Sequence, residues 1–162
     1  MITALILLFL SSAGAAQEPA PDFNAIDIQS GEQVRLADYR GKVVFLDFWA
    51  SWCPPCLVSL PAYQRMYEQY RSSDWALVAI NVDEDTEDGL EFLVDNPVTY
   101  PVIADPRGDI GIPYNIRSLP VSYLIDQQGN IVERYRGFEP GDEEQILQEI
   151  RALISNHSDL KE

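Results

Sequence analysis

Two cysteines separated by two prolines are the residues of this sequence best suited to covalent chemistry. Cys53 and Cys56 are the only cysteines among its 162 residues, and a loop this short gains little stability from a disulfide by chain entropy. The apolar run 43–49 leads into them, and a helical pattern follows. We therefore expect the thiols at a helix N-terminus, where the helix dipole favours the thiolate, the reactive form of cysteine.

A metal site is the main alternative use of such a cysteine pair. Zinc is held by about four ligands, but the chain has no second cysteine pair and its single histidine is His157, near the C-terminus. The sequence therefore predicts no metal site. A metal-handling or redox-inert binding module remains the competing class of function.

One acid interrupts the apolar run before the cysteines. Burying an unpaired carboxylate costs several kcal/mol, so Asp47 must protonate or find a partner. A raised pKa would let Asp47 exchange a proton near neutral pH. The alternative is a buried acid that is satisfied by its neighbours and has no chemical role.

The elements that must position these residues alternate along the chain. After a hairpin over 25–36, the hydrophobic patterns predict strands over 43–49, 75–82, 100–104, 121–125 and 131–136, and helices over 54–71, 86–95, 106–114 and 142–154. This order predicts an α/β fold, a mixed central sheet with helices on both faces. Apart from Asp47, the run 43–49 is apolar on both faces of the predicted strand, which is typical of a central strand.

The two ends of the chain differ from this pattern. Residues 1–16 are apolar and then small, which is typical of a signal peptide or an N-terminal anchor, although a bilayer span needs roughly 20 residues. Residues 17–21 are predicted to be a linker, 22–155 a single domain and 156–162 a polar tail. Export would place the chain in an oxidising compartment.

The charge is strongly acidic, with 11 Lys and Arg against 26 Asp and Glu, a net −15. This balance argues against nucleic acids and anionic membrane surfaces as partners, and it is compatible with basic ones. The densest acidic run, 83–88, resembles a calcium loop only superficially because its glycine, Gly89, stands at the seventh position rather than the sixth. We expect these acids to lead a helix.

The cysteine motif and the strand before it resemble a known family. Trp-Cys-Pro-Pro-Cys after a strand ending in Asp-Phe-Trp-Ala is similar to the thioredoxin superfamily, and most of all to its extracytoplasmic TlpA/ResA-like branch, over about 22–155. The resemblance implies a thioredoxin fold with an added N-terminal hairpin and an inserted helix–strand unit around 86–104. Asp47 matches the buried acid beneath the disulfide of that family.

The activity implied is that of an exported thiol–disulfide oxidoreductase that reduces protein disulfides. We expect Cys53, nearer the exposed end of the helix, to attack the substrate and Cys56 to resolve the mixed disulfide, leaving a Cys53–Cys56 disulfide. The chemistry needs no organic cofactor, and the resemblance implies a membrane electron donor that reduces this disulfide again. We expect a monomer. An oxidase or isomerase of the same fold is the alternative.

Two further positions are expected to contact the substrate. In the family the proline matching Pro120 is cis and lies beside the dithiol, which would leave the backbone of Leu119 as an edge for an extended substrate. Trp52 flanks Cys53 and is a candidate platform for the substrate, with simple packing as the alternative. Trp49, on the other side of the motif, has the same two interpretations.

Two positions depart from related proteins. Many ResA-like reductases carry a glutamate three residues after the second cysteine, where this chain has Ser59. The cytochrome c maturation role of that subgroup is therefore not carried over, and Asp47 is left as the acid for proton transfer. Peroxiredoxins carry Thr or Ser three residues before the reactive cysteine, where this chain has Ala50, so a peroxidase is not predicted.

Overall fold

A computed structural model of the chain describes residues 17–159 and contains one six-stranded mixed sheet and one hairpin. The elements are β1 (Glu18–Pro19), β2 (Asn24–Ile26), β3 (Gln33–Arg35), a 3-10 helix (Leu36–Tyr39), β4 (Val43–Trp49), α1 (Cys56–Gln69), β5 (Trp75–Asn81), α2 (Thr86–Asp95), β6 (Val102–Ala104), β7 (Val121–Ile125), β8 (Asn130–Arg136) and α3 (Asp142–Asp159).

Strand β4 lies in the middle of the sheet, whose order is β1-β8-β7-β4-β5-β6. It pairs in parallel with β5 and antiparallel with β7, so that Asp47 stands between Ala79 and Ser122. Every residue of β4 and of β5 is buried. The prediction of a central strand covered on both faces is therefore confirmed.

Alternate residues of β4 enter two separate cores. Phe45 and Trp49 belong to the core formed with the three α-helices, which also contains both cysteines. Leu46 and Phe48 belong to the opposite core, which is covered by the β2–β3 hairpin, the 3-10 helix and the segment 106–116. The predicted mixed sheet is confirmed. The three α-helices all pack on the face that holds the cysteines, so of the helices predicted on both faces the opposite face carries, within residues 17–159, only the 3-10 helix.

Some predicted boundaries were wrong. Glu18 and Pro19, expected in a linker, form β1 and pair with β8, where proline is tolerated because an edge strand can lack an N–H donor. Helix α3 continues to Asp159 instead of ending at 154, so the tail expected from 156 begins as helix.

The predicted helix over 106–114 is a series of turns. The carboxylate of Asp105 accepts hydrogen bonds from the backbone N–H groups of Ile110 and Gly111. This bonding folds the segment back on itself, and Pro113 cannot supply a helical N–H. Side-chain capture of backbone donors has replaced the helical ladder.

The predicted signal peptide or anchor, 1–16, lies outside the described residues. Within 17–159, no helix has the length and apolar character needed to cross a membrane.

Candidate active site

The two cysteines form a disulfide between the end of β4 and the start of α1. Their Cα atoms are 5.3 Å apart, and Cys56 is the first residue of the helix. The backbone N–H of Cys53 donates to the carbonyl of Ala50 at 3.2 Å, and that of Cys56 donates to the carbonyl of Cys53 at 2.9 Å. These bonds make the motif a tight turn that enters the helix.

The helix begins two residues later than predicted. Pro55 is its N-cap and Pro54 precedes it, so the prolines form the approach to the helix rather than its first turn. Cys53 is 1% exposed and Cys56 is fully buried. Exposure of the disulfide form therefore distinguishes the two sulfurs only slightly, and the order of the residues along the helix approach is what favours Cys53 as the attacking thiol.

Asp47 is fully buried on the face of β4 that points toward the cysteine-containing core. The hydroxyl of Ser122 donates to Oδ1 at 2.7 Å, whereas Oδ2 has no hydrogen-bond partner among the residues that the structure describes. Burial raises the pKa of Asp47 to about 7, and the bond from Ser122 opposes this rise. The expectation of a buried acid that titrates near neutral pH agrees with this environment.

Two tyrosines from other elements approach the same acid. The hydroxyl of Tyr63 lies 3.4 Å from Oγ of Ser122, and because the Ser122 proton is directed at Asp47, Tyr63 must be the donor. Burial, with Asp47 as a second cause, raises the pKa of both Tyr63 and Tyr100. The structure thus joins α1, β7 and β4 through a row of hydroxyls that ends at Asp47.

Tyr63 and Ser122 are site residues that the sequence does not predict. Tyr63 follows the helical pattern of α1 and looks like an ordinary core residue, and Ser122 stands alone in an apolar strand. The pairing of β7 with β4 was the missing information, since it places Ser122 directly opposite Asp47.

Ser59, where related reductases carry a glutamate, is also buried. Its hydroxyl reaches the carbonyl of Cys56 in its own helix at 3.5 Å. The first turns of α1 therefore bring a hydroxyl group to this position rather than a carboxylate, which leaves Asp47 as the acid beneath the motif.

The peptide bond between Leu119 and Pro120 is cis, as expected. Pro120 is buried, and its carbonyl accepts from the N–H of Gly137 at 2.9 Å. Leu119 is partly buried and packs against both cores. Within residues 17–159 its backbone N–H and carbonyl form no hydrogen bond, as an edge open to a substrate requires. Contact between Pro120 and the disulfide stays a prediction.

The surface beside the cysteines is apolar. Trp52 is 66% exposed, and Leu57 and Val58 are each 47% exposed. Trp49 is instead fully buried and packs on Phe92 with their ring centroids 5.2 Å apart. Trp49 is therefore a core residue, whereas Trp52 is available to a partner.

One acid of the 83–88 run does not lead the helix. Asp83 is 1% exposed and accepts from the backbone N–H of Ser51 at 3.2 and 3.1 Å and from its hydroxyl at 3.1 Å. Asp85 caps α2 instead, accepting from the N–H of Glu87 at 3.0 Å. The helix interpretation of this run holds for Asp85 but missed Asp83. No group of three or more potential metal ligands occurs in the part of the chain that the structure describes.

Comparison with known proteins agrees with this geometry. The model of the AhpC/TSA family matches residues 16–134. The thiol-disulfide oxidoreductase ResA of Geobacillus kaustophilus is 32% identical over 151 residues, which cover 85% of this chain and 86% of that protein. A candidate DsbE thiol:disulfide interchange protein from Chlorobium tepidum superposes with a TM-score of 0.79 at 38% identity, covering 85% of this chain and 96% of the other.

The chain belongs to the TlpA/ResA-like branch of the thioredoxin superfamily. StoA from Bacillus subtilis is a further structural neighbour, with a TM-score of 0.70 and 29% identity over 80% of this chain and 96% of that one. The activity of this TlpA/ResA-like protein is thiol–disulfide oxidoreduction, and its substrates contain a disulfide or the corresponding dithiol. Cys53 and Cys56 form the pair that such an activity requires.

Proposed function

We propose that this TlpA/ResA-like protein is an exported reductase of protein disulfides. The observation that carries the proposal is the Cys53–Cys56 disulfide at the start of α1, on the same face of the sheet as an acid whose pKa is about 7. The helix dipole at this position favours a thiolate, and Asp47 is suited to take up a proton near neutral pH.

The reaction begins with the dithiol form. The Cys53 thiolate attacks one sulfur of the substrate disulfide, forms a Cys53–substrate disulfide and releases the other substrate sulfur as a thiolate, which takes a proton from solvent. Cys56 then transfers its proton to the Asp47 carboxylate and attacks Cys53. The second substrate sulfur leaves as a thiolate, and two electrons have passed from the dithiol to the substrate.

The substrate is held by the surface around the cysteines. The exposed indole of Trp52 gives an apolar contact beside Cys53, and the open backbone groups of Leu119 allow an extended segment to pair along the cis-Pro120 loop. Both groups recognise backbone and apolar surface, which suits a protein substrate better than a small molecule.

Export and reduction by a membrane partner complete the proposed cycle. Residues 1–16 direct export, either as a cleaved signal peptide or as an anchor. A membrane thiol–disulfide protein reduces the Cys53–Cys56 disulfide after each turnover, and the chain acts as a monomer. Fractionation of cells that express the full chain, with mass determination of the mature N-terminus, tests the export step.

The roles of the two sulfurs are tested by trapping. Cys56→Ser should accumulate a mixed disulfide with a disulfide-containing peptide, because nothing resolves it. Cys53→Ser should accumulate none, because Cys56 is the first residue of α1 and lies beyond Cys53 on the approach to the helix. Mass spectrometry of non-reduced protein measures both, and equal trapping by the two variants would overturn the assignment.

The direction of electron flow is tested by the equilibrium of the dithiol with a glutathione buffer. The oxidant DsbA has a reduction potential near −120 mV, and a reductase should have a potential well below that value. A potential close to that value would show that the protein works as an oxidant or isomerase.

Asp47→Asn tests the proton step. The variant should form the mixed disulfide at the wild-type rate but resolve it more slowly around pH 7, by about tenfold. Stopped-flow measurement of both phases separates attack from resolution, and an unchanged resolution rate would mean that water takes the proton.

A further inference from the structure

The segment before Cys53 is held by an acid from the neighbouring strand connection. Asp83 follows β5 and directs its carboxylate at the backbone N–H and hydroxyl of Ser51. Its third donor is the side-chain amide of Asn81, at 2.7 Å. Asp83 and Asn81 are almost completely buried, so these bonds face little competition from water.

The parallel pairing of β4 with β5 explains this meeting. Trp49 and Asn81 form the last pair of the two strands, and the N–H of Val82 continues the ladder to the carbonyl of Trp49 at 2.9 Å. Ser51 and Asp83 each lie two residues beyond the last pair. The sheet therefore brings them together at the edge from which α1 departs.

Helix α2 closes the other side of Asn81. A Cβ added at Gly89 would lie 2.8 Å from atoms of the Asn81 side chain, closer than such atoms approach in proteins. The amide of Asn81 is thereby confined to the position from which it donates to Asp83. Three elements thus fix the carboxylate that holds Ser51.

We propose that Asp83 is a positioning residue for dithiol–disulfide exchange, which holds the turn over residues 50–52 and through it the distance between Cys53 and Cys56. The turn is connected directly to the nucleophile because Ala50 accepts the N–H of Cys53. This role rests on the exchange chemistry proposed above for the two cysteines, and it assigns a function to Asp83, which lies outside the cysteine motif.

Loss of the clamp formed by Asp83, Asn81 and Ser51 should favour the dithiol over the disulfide. A looser turn lowers the effective concentration of Cys53 at Cys56, which weakens ring closure. Removing a carboxylate near the nucleophile also favours its thiolate. Both effects reduce the equilibrium constant for oxidation of the protein by glutathione disulfide.

The experiment measures that equilibrium constant for the full chain and a set of variants. Asp83→Ala should lower it by about fivefold or more, and Ser51→Ala, which loses only the hydroxyl bond, by about twofold. Asp83→Asn keeps an acceptor for the N–H of Ser51 and should recover part of the loss. Ser51→Ala retains the backbone bonds, so it decides the question even if Asp83→Ala fails to fold.

Gly89→Ala separates geometry from charge. It displaces Asn81 while the Asp83 carboxylate stays in place, and a fall in the equilibrium constant would therefore come from position. The matched control is Asp126→Ala. Asp126 is also a buried acid that accepts two backbone N–H groups and an asparagine amide, but it does so in the turn between β7 and β8.

The control should match the wild type within experimental error. The positioning role would be overturned if Ser51→Ala, Asp83→Ala and Gly89→Ala all had the same equilibrium constant as the wild type. It would also be overturned if Asp126→Ala lowered the constant as much as they do, because any loss of a buried, hydrogen-bonded acid would then have the same effect. A wild-type chain that never exchanges with glutathione would overturn the proposed function itself, and the positioning role with it.

Discussion

Two buried aspartates near the same end of the sheet have very different surroundings. Asp83 accepts three hydrogen bonds, from the N–H and hydroxyl of Ser51 and the amide of Asn81. Asp47 accepts one, from Ser122, and its second oxygen is unpaired within residues 17–159. A carboxylate that is fully bonded fixes local geometry, whereas a poorly bonded one is easily protonated and can exchange protons. The donors around each acid thus determine how the molecule can use it.

The largest expected effect is the pH dependence that Asp47 gives to the free energy of unfolding. An aspartate in an unfolded chain has a pKa near 4, whereas the pKa of Asp47 in the folded protein is about 7. Between pH 4 and pH 7 the folded state therefore binds more protons than the unfolded state. The free energy of unfolding should fall by about 4 kcal/mol from pH 4 to 7 and level off above.

Asp47→Asn should lack this component and be more stable than the wild type at pH 8. Urea denaturation of the oxidised proteins between pH 4 and 9 measures the difference. Parallel curves for the two proteins would show that Asp47 is a satisfied structural acid and would remove the contrast with Asp83.

The second test removes the well-bonded acid. Asp83→Ala should lower the free energy of unfolding by about 3 kcal/mol, because it leaves the partly buried donors of Ser51 and the buried amide of Asn81 without a partner. Asp47→Ala, by contrast, strands only the hydroxyl of Ser122 and removes a costly charge. If Asp83→Ala were the less damaging variant at pH 8, the assignment of the two roles would be reversed.

The third test increases the contrast by removing the one hydrogen bond that Asp47 accepts, from Ser122. The bond from Ser122 holds the pKa of Asp47 down, so Ser122→Ala should raise it above about 7. The loss of stability relative to the wild type should be greater at pH 9 than at pH 5, by about 1 kcal/mol. Ser122→Thr, which keeps a hydroxyl, is the control, and a loss independent of pH would mean that the bond does not sense the charge.

The smallest effect is expected at the far end of the hydroxyl row. Tyr63→Phe removes the donor to Ser122 but leaves the bond from Ser122 to Asp47 intact. It should cost about 0.5 to 1 kcal/mol, with little change in the pH at which stability is lost. A shift as large as that of Ser122→Ala would mean that Tyr63 acts on the acid directly.

The sequence predicts the covalent part of the site well, because local signals carry it. An apolar run with one acid predicts a buried strand with a perturbed carboxyl, and the cysteine spacing predicts a redox pair. The cis bond before Pro120 follows only from family resemblance, since local sequence would favour the commoner trans form.

The parts that the sequence missed depend on pairing between distant segments. Nothing local distinguishes Asp83, which turns inward, from Asp85, which caps a helix, because both are acids at the front of the same helix. Ser122 gains its role from its place opposite Asp47 in β7. Apolar spacing predicts a helix where the structure has turns after Asp105, because spacing contains no information about a side chain that captures backbone donors.

The short strand β1 has a consequence for how the molecule is oriented. Glu18 pairs with Ile131 at the end of β8 that neighbours Ile125, while the disulfide follows the opposite end of the sheet, beyond Trp49. Seven residues of β4 separate these two poles, a length of roughly 20 Å. The chain therefore enters the sheet at the pole remote from the cysteines, and the N-terminal strand leaves the reactive pole uncovered for approaching proteins.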